Sequence, residues 1–161
     1  MNKTAIAAVA ALGLGLAACS PQASVQKTEA PAAAAAAAPT SQADMEAAIA
    51  RHVTAVKAAD LPGVMADYAD DAILVAKPGT ASEPGTLVGK QNVQKFFEWL
   101  YTPEVLPAAQ SMVTTNEIVG PNTLLFRWTQ FPGTPKEVKG YDIFVFREGK
   151  IIFQTTAPIP K

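Results

Sequence analysis

The chain has 161 residues, 13 of them basic and 14 acidic, for a formal net charge of -1. These charges are scattered, so no basic stripe exists to track a nucleic acid backbone, and nucleic acid is excluded as a partner. One cysteine and one histidine among dispersed carboxylates form neither an internal disulfide nor a metal ligand set, and no Gly-rich phosphate loop or nucleophile elbow occurs, so no metal and no cofactor are expected.

The first element is a leader. Lys3 precedes an uncharged Ala/Leu/Gly/Val segment that starts at Ala5 and closes with Leu16-Ala17-Ala18-Cys19, which is the charge, apolar run and small-residue cleavage site of a secretory signal peptide. The last four residues resemble the lipobox of bacterial lipoproteins. That resemblance implies cleavage after residue 18, a lipid-modified Cys19 as the mature N-terminus and membrane attachment through that lipid. Ser20 follows the cysteine where, by the same resemblance, transfer to the outer membrane is permitted. The expected address is the bacterial cell envelope, on an outer membrane facing the periplasm. No later apolar run approaches the roughly 20 residues of a spanning helix.

Residues 19–43 read as a tether. They are mostly Ala, Pro, Gln, Ser and Thr, with an alanine run bracketed by Pro31 and Pro39. That run is shorter than the ~12–15 residues an isolated helix needs, and the residue before a proline disfavours helical geometry.

Residues 44–161 have the size of one ordinary domain. Ser41-Gln42-Ala43-Asp44 has capping-box spacing, and Met45, Ile49, Val53 and Val56 recur at helical intervals, so a first helix ends near Ala59. Asp60 caps a short second helix with Pro62 in its first turn, and Asp70-Asp71 mark the turn after it. A buried strand is expected over Ala72–Ala76, then a long Pro/Gly/Ser/Thr-rich loop over Lys77–Gly89. Val93, Phe96, Phe97 and Leu100 then form one face of a third helix. Beyond Pro107 the pattern turns to a meander of strands over Gln110–Val119, Thr123–Phe131, Val138–Arg147 and Lys150–Ala157.

Alternation along the third of these strands places Val138, Gly140, Asp142, Phe144 and Phe146 on one face and Tyr141, Ile143, Val145 and Arg147 on the other. Both faces are largely apolar. Helices cover one, and a second copy of the chain is the simplest cover for the other, so a homodimer is expected.

Helices, a long loop and a meander in this order resemble the nuclear transport factor 2-like superfamily, in its SnoaL-like and ketosteroid isomerase-like branch. The passage from Ala58 to Ala72 is similar to the helix-to-strand segment of those proteins, and Gly140–Phe146 with Gly149-Lys150-Ile151 is similar to their closing hairpin. The resemblance implies an α+β fold, a cone in which three N-terminal helices pack into the concave face of a curved antiparallel sheet. It specifies no activity, because the fold hosts unrelated functions.

Carried residue by residue, the isomerase resemblance places Asp142 where a protonated aspartic acid would donate to the oxyanion and His52 where a tyrosine would. The general base should stand at the end of the first strand, where the sequence offers Ala76 or Lys77 and no carboxylate; Glu83 lies in the loop beyond. Steroid isomerase activity is therefore not expected. What the resemblance leaves is a candidate cavity with Phe97, Phe126, Trp128 and Phe144 as ligand-binding walls and His52 with Asp142 as the candidate catalytic pair. Three functions stay open: binding of a small apolar or aromatic ligand, acid–base catalysis by His52 and Asp142, or a non-catalytic interaction module acting through the sheet.

Overall fold

The computed structural model describes residues 39–77 and 85–160. The leader, Cys19, most of the tether and Glu83 lie outside the described residues.

Helix α1 (Gln42–Ala58) begins where its cap demands. Ser41 accepts from the Asp44 backbone N–H at 3.1 Å while its hydroxyl donates to the Asp44 carboxylate at 2.6 Å, which satisfies one of the free donors of the first turn and sets an acidic group beside the helix's positive end. It ends at Ala59, which takes a left-handed conformation. Helix α2 (Leu61–Ala66) is capped by Asp60, whose side chain accepts from Gly63 N at 3.0 Å.

Strand β1 (Tyr68–Val75) runs straight through Asp70-Asp71, so the turn expected there is absent. Both aspartates are exposed within the irregularity between Tyr68 and Ile73, where the pairing of β1 with its neighbour shifts register, and Asp71 is held by Arg147 at 2.6 Å. Pairing on either side of them, Tyr68 with Ile151 and Ile73 with Phe153, carries the strand through this irregular stretch. Strand β2 (Thr86–Val88) lies within what reads in sequence as loop.

Helix α3 (Lys90–Leu100) buries Val93, Phe96 and Phe97. A fourth helix, α4 (Leu106–Gln110), occupies the position from which the first meander strand was expected to start. Its five residues carry no amphipathic period, and Pro107 sits in the one turn that tolerates it. Strands β3 (Val113–Gly120), β4 (Thr123–Gln130), β5 (Val138–Arg147) and β6 (Lys150–Pro158) then form the meander.

The fold is α+β: helices lead into a curved, unclosed six-stranded sheet of order β2-β1-β6-β5-β4-β3. Every pairing is antiparallel except β1 with β6, which is parallel. That pair sets the first strand of the chain, β1, beside the last, β6. Side chains of α1 and α3 meet the inner face of the sheet in one core that includes Met45, Ile49, Phe97, Leu124, Phe144 and Phe146; full burial of each large apolar side chain is worth about 1.5–3 kcal/mol. The chain enters the domain at a fixed point. Buried Thr40 donates its N–H to Asn122 at 2.8 Å and accepts from Gly149 N at 3.2 Å, so the β3–β4 and β5–β6 turns together hold it.

Gly140 is required by close approach. It stands opposite Trp128 in the β4–β5 register, and a Cβ there would lie inside the indole ring. Gly140→Ala is expected to displace that ring and to destabilise the domain by about 1–3 kcal/mol, measured by urea denaturation, with a change in tryptophan emission.

Candidate functional site

Between the helices and the inner sheet face lies a cavity of about 80 Å³. Alternation puts Phe126 and Trp128 of β4 and Asp142 and Phe144 of β5 on the same inward face, with Phe126 opposite Asp142 in register. Helix α1 adds His52 and Val53, α3 adds Phe96 and Phe97, and β6 adds Gln154. His52, Phe97, Phe126, Trp128, Asp142 and Phe144 therefore line one space. A shallower depression of about 220 Å³ adjoins it, sharing Phe96, Leu100, Trp128, Gln130 and Thr156. Its rim reaches Lys77, Val138 and Pro158. Trp128 is thus a wall common to both.

Asp142 is buried in this aromatic setting but fully engaged. Its carboxyl accepts from Trp128 Nε1 at 2.8 Å and from Gln154 Nε2 at 2.7 Å. The Gln154 carbonyl in turn accepts from the Tyr68 hydroxyl. Burial pushes the Asp142 carboxyl above its ordinary value, while hydrogen bonds from Trp128, Gln154 and Thr156 and the nearby His52 act in the other direction. Burial, with Asp142 and Asp67 beside it, pushes Tyr68 well above the ordinary phenol value. It stays a donor. That polarity orients the Gln154 amide with its nitrogen toward Asp142.

His52 and Asp142 share the cavity without a hydrogen bond or ion pair between them among the described residues. The imidazole Nδ1 faces Asp67 at 3.8 Å instead, and Arg51 holds the other oxygen of Asp67 at 3.3 Å. His52 meets Tyr68, Phe97 and Phe144 edge-on, with ring centroids 5.6–5.7 Å apart. At the end of β1, Ala76 is buried and Lys77 exposed, so the described residues place no carboxylate where the isomerase base would stand.

Sequence reasoning missed Asp67, Tyr68 and Gln154. Strict alternation puts Gln154 on the face opposite Ile151, yet both are buried, because the β5–β6 register shifts between Val145 and Phe146. One extra residue reverses the facing of everything after it. A buried glutamine following an irregular strand leaves no periodic signal. Among the described residues no group of three or more His, Cys, Asp or Glu side chains converges as a metal site.

The SnoaL-like domain family matches residues 49–154. This is well over half of the 161 residues, and the chain belongs to that family. Among solved structures it is similar to a nuclear transport factor 2-like protein from Burkholderia xenovorans, at 21% identity and TM-score 0.57 over 74% of this chain and 85% of that one. A ketosteroid isomerase-like protein from Erwinia carotovora matches at 20% identity and TM-score 0.51, over 74% of this chain and 96% of that one. The protein RV0760c of Mycobacterium tuberculosis, solved with estradiol-17β-hemisuccinate, matches at 20% identity and TM-score 0.52, over 70% and 92%. At these identities the likeness is one of fold. Among curated proteins none matches the chain significantly.

Removing the Asp142 carboxyl tests how much the network contributes. Asp142→Leu leaves the Trp128 and Gln154 donors buried without acceptors, and a loss of about 2–5 kcal/mol in chemical denaturation is expected. Asp142→Asn keeps one acceptor and should cost less. The sign of the pH effect follows from the raised folded-state value. The folded protein holds this proton to higher pH than the unfolded chain does. The contribution is therefore complete below the ordinary carboxylate value of about 3.9 and is lost as pH rises through the folded value. Between about pH 4 and pH 7 the melting temperature of Asp142→Asn should accordingly fall less, or rise more, than that of the unmodified protein.

Proposed function

We propose that this protein is a lipid-anchored envelope protein whose cone binds a small, largely apolar ligand and does so without catalysis. The observation that carries the reading is the recess itself. Aromatic side chains wall it, and a satisfied group of buried polar side chains stands along one side. A cavity of about 80 Å³ exceeds the ~10–15 Å³ that one water needs and falls below the ~300–1,000 Å³ of drug-sized pockets. It is about half the ~150 Å³ of an apolar cavity that holds benzene, so a single-ring molecule enters with a small outward shift of the walls. A ligand as large as the steroid ester bound by RV0760c would need Trp128 to move, joining the inner cavity to the outer depression. The absence of a carboxylate at Ala76 favours binding over isomerase chemistry.

Toluene serves as a first probe. At a hundred times its dissociation constant a ligand specific for the folded state adds about 2.7 kcal/mol of stability, so the melting temperature of the domain should rise by several degrees. A mixed hydrophobic extract, followed by mass spectrometry of what co-purifies, would name the natural class. If no small apolar compound raises the melting temperature or co-purifies, the reading fails in favour of an interaction module.

Attachment rests on Leu16-Ala17-Ala18-Cys19. Cells fed a labelled fatty acid should yield a labelled, membrane-partitioned protein, and Cys19→Ser should abolish both; label persisting on the serine variant overturns the assignment.

Homodimerisation through the outer sheet face belongs to the same proposal. On that face the strand registers align Ile73, Phe153, Val145, Ile143 and Leu125, all only half-buried, and the helices pack on the other side. Ile143→Lys should shift the sedimentation mass of the domain from dimer toward monomer. A monomeric unmodified domain at high micromolar concentration would end the dimer reading.

A further inference from the structure

His52 carries a second piece of information, in the nitrogen that faces Asp67. Its Nδ1 and Asp67 Oδ2 oppose each other at 3.8 Å, and both atoms are buried with no hydrogen-bond partner among the described residues. Two orphaned polar atoms each cost about 1–3 kcal/mol, unless they satisfy one another. With the Asp67 carboxylate paired to Arg51, a proton on Nδ1 is the arrangement that serves both atoms. A lone pair on Nδ1 would repel a carboxylate oxygen, whereas a proton on Nδ1 makes the pair attractive and needs only a small closure to reach a hydrogen bond of about 2.8–3.0 Å.

Asp67 cannot easily turn away. Arg51 holds its Oδ1 at 3.3 Å, and its backbone carbonyl accepts from Ile151 N at 2.8 Å, which fixes the junction of α2 and β1 to the centre of the sheet. The imidazole is equally constrained by its edge contacts with Tyr68, Phe97 and Phe144. With Nδ1 committed to Asp67, a neutral ring has its lone pair on Nε2, and His52 lines the cavity.

We propose that Asp67 holds His52 as the Nδ1–H tautomer, so that Nε2 is a built-in hydrogen-bond acceptor that selects small apolar ligands bearing an O–H donor, of the phenol class. The proposal rests on the ligand-binding reading above and adds its polar specificity. Asp67 is a positioning residue in it, acting on the ligand only through the imidazole.

The chain has one histidine, so its ring nitrogens give two unambiguous ¹⁵N resonances. In the unliganded protein at about pH 8, above the ordinary imidazole value, Nδ1 should be the protonated nitrogen and Nε2 the bare one. Asp67→Asn should move the proton toward Nε2. Phenol should then shift the Nε2 resonance upfield, as a lone pair engaged by a donor does, while toluene of similar size binds and leaves it in place. His52→Phe should lower the ratio of phenol to toluene affinity about tenfold, the size of one lost buried hydrogen bond. A proton on Nε2 in the unliganded protein overturns the tautomer assignment. Binding of both compounds with a silent Nε2, or an unchanged affinity ratio in His52→Phe, overturns the ligand preference alone. If neither compound binds, the ligand-binding reading itself falls, and the ring resonances still decide the Asp67–His52 couple.

Discussion

A carboxyl group inside an aromatic cone must have its hydrogen bonds supplied by the fold, and much of the arrangement of this domain follows from that constraint. Asp142 stands in the middle of β5 with Phe144 and Phe146 further along its own face. Its partners come from the strands on either side: the indole of Trp128 from β4 and the amide of Gln154 from β6, the latter backed by Tyr68 of β1. One polar network thus joins strands that are β1, β6, β5 and β4 in spatial order. Because an unsatisfied buried donor is costly, the network penalises any slip in the register of these strands.

The same network shapes the cavity. For the Trp128 indole to reach Asp142 it must lie across β5, and only a glycine at position 140 leaves the space. The ring is then wall to the inner cavity on one side and to the outer depression on the other. A residue with no side chain and one with the largest are in this way a single structural unit. The volume left inside is small because the aromatic residues needed to bury the carboxyl also fill the cone.

The two acidic groups nearest His52 divide their roles by their surroundings. Asp142 receives neutral donors and is pushed by burial toward its protonated form. Asp67 sits beside the exposed guanidinium of Arg51, at the edge of the core. The imidazole nitrogen that faces a carboxylate is Nδ1, 3.8 Å from Asp67, while the ring itself lines the cavity.

How much of this the sequence determined depends on the range of the interactions involved. The caps of α1 and α2 were legible because Ser41 and Asp60 act on residues a few positions away. The inward face of β5, with Asp142 beside two phenylalanines, was legible because a strand alternates with period two. The apolar face of α3 and the order of elements, which together carry the resemblance to the SnoaL-like family, were legible for the same reason. Tertiary structure alone decided the rest. Asp70-Asp71 lie within a strand because β6, some eighty positions away, pairs in parallel with β1 on either side of them, at Tyr68 and again from Ile73. Gln154 faces inward because a register shift cancels the alternation before it. The acid facing the Nδ1 of His52 is Asp67 rather than Asp142 because the turn from α2 into β1 returns one carboxylate to the flank of α1. These outcomes depend on contacts between segments distant in sequence, which leave no period and no local spacing in the chain.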